Sequence, residues 1–134
     1  MESTYREQGI EIHLEEQSQL PIVCAPGEFS QCILAIMANA RDAIVERQVT
    51  DGRIDITVET IAESGKNRIS ITDNGGGIPQ EFIERIFDPY VTSKFHSQGV
   101  GLGLFMTRQI IEKQLHGTIR ARNTETGAEF TLEV

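Results

Sequence analysis

The sequence predicts an α+β two-layer sandwich. Two observations carry this: several short segments alternate apolar and polar residues, and two long segments repeat apolar residues at helical spacing. Their order is strands, helix, strands, an irregular loop, helix, strands, which suits a sheet packed against a pair of helices. With 134 residues, one domain is expected. Such a chain buries roughly two-thirds of its unfolded surface, enough for one core.

Residues 9–15 alternate, so Ile10, Ile12 and Leu14 face one way as a strand. A short strand over 20–24 follows, with Pro21 favouring an edge position or the strand's first residues. A helix is expected from about Gly27 to about Arg47, with Phe29, Cys32, Ile33, Ile36, Met37, Ala40 and Ile44 as its apolar stripe. Strands follow at 54–61 and up to Asp73, joined by a turn at 63–67. Glu81 to Ile86 reads as a short helix. A second long helix runs through about Leu115, with Phe105, Ile110 and Ile111 on its apolar side and Gly117 as its C-terminal cap. Segments 118–122 and 128–134 are the last strands, around a turn at 123–127.

The net charge of −8 argues against non-specific binding to nucleic acid or to an anionic membrane, since both require basic surface. An anionic ligand remains compatible, because backbone N–H groups can hold phosphate inside an acidic protein. Cys24 and Cys32 have neither metal-ligand nor disulfide-framework spacing and read as reduced packing residues. No segment has transmembrane length and the N-terminus is not a signal peptide, so the expected location is the cytoplasm, with an inner-membrane anchor open to a larger parent.

Four stretches carry chemistry. Asp73-Asn74-Gly75-Gly76-Gly77-Ile78-Pro79 follows a strand, where Asp73 can accept a hydrogen bond from a flat, amine-bearing ring and the glycines allow close backbone approach. The same residues also fit a simple turn. Asn39, inside the first helix, offers an amide oxygen suited to Mg²⁺, and equally fits a surface Asn. Residues 86–98 are polar, broken by Pro89 and dotted with Phe87, Tyr90 and Phe95, which fits a mobile lid. Lys94 within it either reaches a phosphate or is solvated. Gly99-Val100-Gly101-Leu102-Gly103-Leu104 opens the second helix, where unpaired N–H groups and the dipole favour an anion. A Rossmann site is excluded because these glycines come late and follow a lid, and a P-loop because Gly-Lys-Ser/Thr is absent.

Taken together, the four stretches resemble the boxes of the catalytic ATP-binding domain of bacterial sensor histidine kinases, in the superfamily shared with gyrase, Hsp90 and MutL. Asn39-Ala40-Arg41-Asp42-Ala43 resembles the Asn box, and Asp73 to Pro79 the first glycine box. Ile86 to Lys94 resembles the Phe box, and Gly99 to Leu104 the second glycine box. The resemblance spans Ile10 to Val134. It implies a Bergerat fold, with a mixed, largely antiparallel sheet covered on one face by helices and an ATP lid over about 89–99. It implies ATP and Mg²⁺ as cofactors, Asp73 as acceptor for the adenine N6 amine, and Asn39 as the Mg²⁺ ligand. Gly75, Gly77 and Ile78 would shape the base pocket, and Asp42 and Lys94 join the nucleotide site. Gly99, Val100, Gly101, Leu102, Gly103 and Leu104 would serve the phosphates and hinge the lid.

The implied function is transfer of the ATP γ-phosphoryl to a His on a separate dimerisation domain, with a response regulator downstream. His13, His96 and His116 lie in no phosphoacceptor hairpin, so the chain is expected to be a single, monomeric catalytic domain, inactive without that partner. No catalytic residue is assigned within the chain. Ala35 departs from the pattern: four residues before the Asn-box Asn, kinases often carry Asn and gyrase-like ATPases a water-activating Glu. It argues against autonomous hydrolysis. The alternatives are a stand-alone serine kinase of the anti-sigma-factor type, which usually has that Glu, and a degenerate nucleotide-binding module.

Overall fold

The computed structural model describes residues 9–17, 26–89 and 103–134. Its strands are β1 (Ile10–Gln17), β2 (Gly52–Thr60), β3 (Asn67–Asp73), β4 (Thr118–Asn123) and β5 (Ala128–Glu133). The helices are α1 (Pro26–Glu46), the single turn α2 (Gln80–Ile83) and α3 (Gly103–Gln109), which continues as a π-helical turn over Ile110–Gln114. The expected strand over 20–24 lies outside the described residues.

The five strands form one sheet in the order β1-β2-β3-β5-β4. β1 and β2 are parallel, because α1 connects them as a crossover. The remaining pairs are antiparallel. The expected mixed sheet is therefore present, with the helices packed on its apolar face. Alternation decides which face that is. Ile69 and Ile71 of β3, and Ala128, Phe130 and Leu132 of β5, are buried against Cys32, Ile36, Met37, Ala40 and Ile44 of α1. Phe87 meets Phe130 edge-to-face, with ring centroids 6.1 Å apart, and so anchors the end of the segment after α2 to the core. Cys32 is a buried thiol whose Sγ lies 3.9 Å from the Thr107 carbonyl, the packing role its setting in an apolar run suggested.

Leu14 shares its phase with Ile10, as expected, but is 63% exposed, because it lies far along an edge strand whose apolar face the core covers only at Ile10 and, in part, Ile12. Three local expectations are corrected. The short helix is confined to Gln80–Ile83 and gives way to turns, with Arg85 N donating to Phe82 O and Asp88 N to Arg85 O. The second long helix is not α-helical throughout. At its end Leu115 N donates to Ile110 O, five residues back, which widens the last turn while Ile110 and Ile111 are both buried. Finally, His116 and not Gly117 takes the left-handed conformation beyond the helix, at φ 54°. Gly117 still closes the helix end, its N donating to Ile111 O at 2.8 Å, and a Cβ there would collide with the Glu133 carbonyl of β5.

Candidate functional site

In β3 the alternation that buries Ile69 and Ile71 continues to Asp73, which is 3% exposed. The strand thus places a carboxylate in a core position. Its Oδ1 accepts hydrogen bonds from Gly75 N at 2.8 Å and, longer, from Ala128 N at 3.4 Å. Both of these backbone bonds fall on Oδ1. Burial pushes the carboxyl up from its ordinary value, while the Gly75 and Ala128 N–H groups and the nearby Arg47 guanidinium pull it back. A carboxylate held by backbone through one oxygen can offer the other to a donor on a ligand.

After Asp73 the chain leaves the sheet, and its backbone groups need new partners. Asn74 ties the turn to the start of β2 and the residue before it: its Oδ1 accepts from Arg53 N at 2.8 Å and its Nδ2 donates to Asp51 O at 2.7 Å. Gly75 lies against α1, where an added Cβ would stand 2.9 Å from the Ala43 Cβ. Gly76 N donates to Thr126 O at 2.9 Å. Gly77 has φ 88°, and an added Cβ would meet Asn123 Oδ1 at 3.0 Å. Ile78, which is buried, is gripped twice by Asn123: its N donates to Asn123 Oδ1 at 2.7 Å and its O accepts from Asn123 Nδ2 at 2.8 Å. Gly127 passes so close to Asp73 that a Cβ would collide with the Asp73 carbonyl and stand 2.7 Å from its Oδ1.

Asn39 is 8% exposed and lies one helical turn before Ala43, the residue that touches Gly75. Residues four apart share a helix face, so Asn39 and the glycine turn lie on the same side of α1. Asp42 is half-buried, and its Oδ1 is taken by the neighbouring Arg41 at 3.3 Å. Leu104 packs against the core, and Gly103 begins α3, its carbonyl accepting the buried Thr107 hydroxyl at 2.8 Å. Lys94, Gly99, Val100, Gly101 and Leu102 lie outside the described residues, as does the expected lid beyond Pro89. The structure therefore brings together Asn39, Asp73, Gly75, Gly77 and Ile78. Sequence reasoning missed Asn123 and Gly127, which it treated as an ordinary turn. The signal available was an Asn and a Gly bracketing the last hairpin.

Comparison with known proteins agrees with this geometry. The family described as histidine kinase-, DNA gyrase B-, and HSP90-like ATPase matches residues 25–134. The two-component sensor PprA of Pseudomonas aeruginosa is 30% identical over 131 residues, covering 96% of this chain and 14% of PprA. The sensor histidine kinase ZraS of Escherichia coli O157:H7 is 37% identical over 126 residues, covering 92% of this chain and 25% of ZraS. The chain thus corresponds to a quarter or less of these relatives' length. Among solved structures, the nucleotide-free catalytic domain of the histidine kinase ThkA superposes with a TM-score of 0.82 at 33% identity, covering 99% of this chain and 83% of that one. ThkA in complex with the response regulator protein TrrA gives 0.73 at 30% identity, covering 99% and 36%. The chain belongs to the histidine kinase-, DNA gyrase B- and HSP90-like ATPase family, as an ATP-binding domain of the kind found in sensor histidine kinases.

Proposed function

We propose that the chain is the catalytic domain of a longer sensor kinase, which binds Mg-ATP and passes the γ-phosphoryl to a His on a separate dimerisation domain. The observation that carries this reading is Asp73: a core-phase carboxylate held by backbone through one oxygen, at the mouth of a glycine turn. Its Oδ2 would accept the adenine N6 amine, with Gly75, Gly77 and Ile78 framing the base. Asn39 would supply the one protein oxygen to Mg²⁺. Among the described residues no group of three or more His, Cys, Asp and Glu side chains could hold a metal. A Mg²⁺ carried by phosphates and water, with one or two protein oxygens, needs no such group. When bound, the ion neutralises phosphate charge. Asp42, Lys94, the glycines Gly99, Gly101 and Gly103, and Val100, Leu102 and Leu104 beside them would complete the phosphate side under the lid.

In the reaction the bond from the γ-phosphorus to the β-phosphate oxygen breaks while a P–N bond to the imidazole forms, and ADP leaves. Such transfers depend mostly on positioning and charge stabilisation. The base that receives the imidazole proton belongs to the partner domain. Ala35, one turn before Asn39, carries no group that activates water, which favours transfer over hydrolysis and disfavours the serine-kinase reading. A response regulator would act downstream, as the ThkA–TrrA complex suggests. No helix among the described residues is long and apolar enough to cross a membrane. The test is to mix the chain with γ-labelled ATP, Mg²⁺ and the parent kinase's dimerisation domain. Acid-labile, base-stable label on that domain's His is expected. Label released only as inorganic phosphate would overturn the reading.

A further inference from the structure

Asn123 is the last residue of β4 and stands opposite Ala128 in the β4–β5 ladder. Ala128 N reaches Asp73 Oδ1, and Asp73 Oδ1 also accepts from Gly75 N. From the other side, the Asn123 carboxamide closes on Ile78 through its N and its O. Between them Gly76 N donates to Thr126 O, and the hairpin itself is closed by Thr124 N donating to Gly127 O. These contacts form a ring: Asp73, the glycine turn, Ile78, Asn123, Ala128 and back to Asp73. The side chain of Asn123 stands in for a strand backbone, offering one donor and one acceptor to a segment that has left the sheet. Asn is the shortest side chain that carries a donor and an acceptor on separate atoms, as a peptide group does. Asn123 is itself exposed, so burial gives no reason for its identity. Gly77 and Gly127 lack the Cβ atoms that would crowd this ring.

We propose that Asn123 is a positioning residue that sets adenine selectivity, by fixing the distance between the Asp73 carboxylate and the backbone of Ile78. This rests on the nucleotide-site reading above. Without the bridge, the glycine turn shifts relative to Asp73, and the amine-accepting geometry is what suffers first.

The test compares adenosine and inosine diphosphates, which differ at the exocyclic amine, by calorimetry with Mg²⁺ on the 134-residue chain. Wild type is expected to prefer the adenosine nucleotide by at least about tenfold, the scale of one hydrogen bond to a charged group. Asn123→Ala should cut that preference by at least about fivefold, with stoichiometry and a cooperative melt retained. Asn123→Asp keeps the acceptor for Ile78 N but loses the donor, and should fall between the two. If that variant alone folds, it carries the comparison with wild type. A merely structural role lowers the competent fraction for both nucleotides alike and leaves their ratio unchanged; that result would overturn the proposal. Asp73→Asn separates the two readings. If it abolishes the preference while Asn123→Ala does not, the site stands and the role of Asn123 falls. If wild type binds neither nucleotide, both fall.

Discussion

Glu129 on β5 stands opposite Thr72, the residue next to Asp73 on β3, yet the two carboxylates live in different chemistry. Glu129 is on the outer face, where its Oε1 accepts from Arg122 Nε at 2.7 Å. Beside it Glu133 meets Arg120 at 3.1 Å and Glu59 meets Arg68 at 3.4 Å. Arg120 and Arg122 are exposed and Arg68 is half-buried at the surface, so each pair is screened and contributes about 0–1 kcal/mol. Asp73 is one residue further on and on the opposite face. Its direct bonds come from backbone N–H groups, and its burial costs stability. A charge the fold can replace is paired with a charge of opposite sign in water. Asp73 is a charge the fold keeps in its core at a cost, and the proposed nucleotide site gives that cost a purpose.

The largest effect expected from breaking this contrast is in the core that surrounds Asp73. Phe130, 1% exposed, packs beneath the same strands, and Phe130→Ala should lower stability by about 3–5 kcal/mol, read by urea unfolding. That approaches the whole stability of many small domains. Gly127→Ala comes next. Its Cβ would strike the Asp73 carbonyl, so a loss of about 1–3 kcal/mol is expected, together with weaker nucleotide binding.

Asp73→Asn sharpens the contrast through pH. Burial raises the Asp73 carboxyl above 3.8, so between 3.8 and the raised value the folded chain holds a proton that the unfolded chain has lost. Stability from this group is full below about 3.8 and falls as pH rises through the raised value. The asparagine variant should therefore be at least as stable as wild type at pH 7. Its advantage should shrink as pH falls, in unfolding curves taken from pH 7 down to 4.5. The smallest effect belongs to the outer face: Arg122→Ala should change stability by no more than about 1 kcal/mol and leave nucleotide binding unchanged.

Much of this was legible in the chain. The alternation in β2 and β3, the stripe on α1 and the carboxylate followed by glycines are local patterns, and they placed both layers and Asp73. What was not legible depends on partners distant in sequence. Asn123 grips Ile78 across 45 positions, and no periodicity announces a side chain that substitutes for a strand. The π turn at Ile110 and the left-handed His116 arise where the helix end must meet β4 and β5, so tertiary packing and not propensity decides them. Gly117 caps the helix through its N–H, as expected, but the left-handed conformation falls on His116 and the need for glycine comes from the Glu133 carbonyl.

The central claim, that Asp73 is kept in the core to read a nucleotide, is tested most directly by titrating wild type and Asp73→Asn with a non-hydrolysable ATP analogue, with and without Mg²⁺. Wild type should bind one equivalent, more tightly with the metal, and the folded variant should bind at least about tenfold more weakly. Equal binding by the two proteins, or none by folded wild type, would contradict the account.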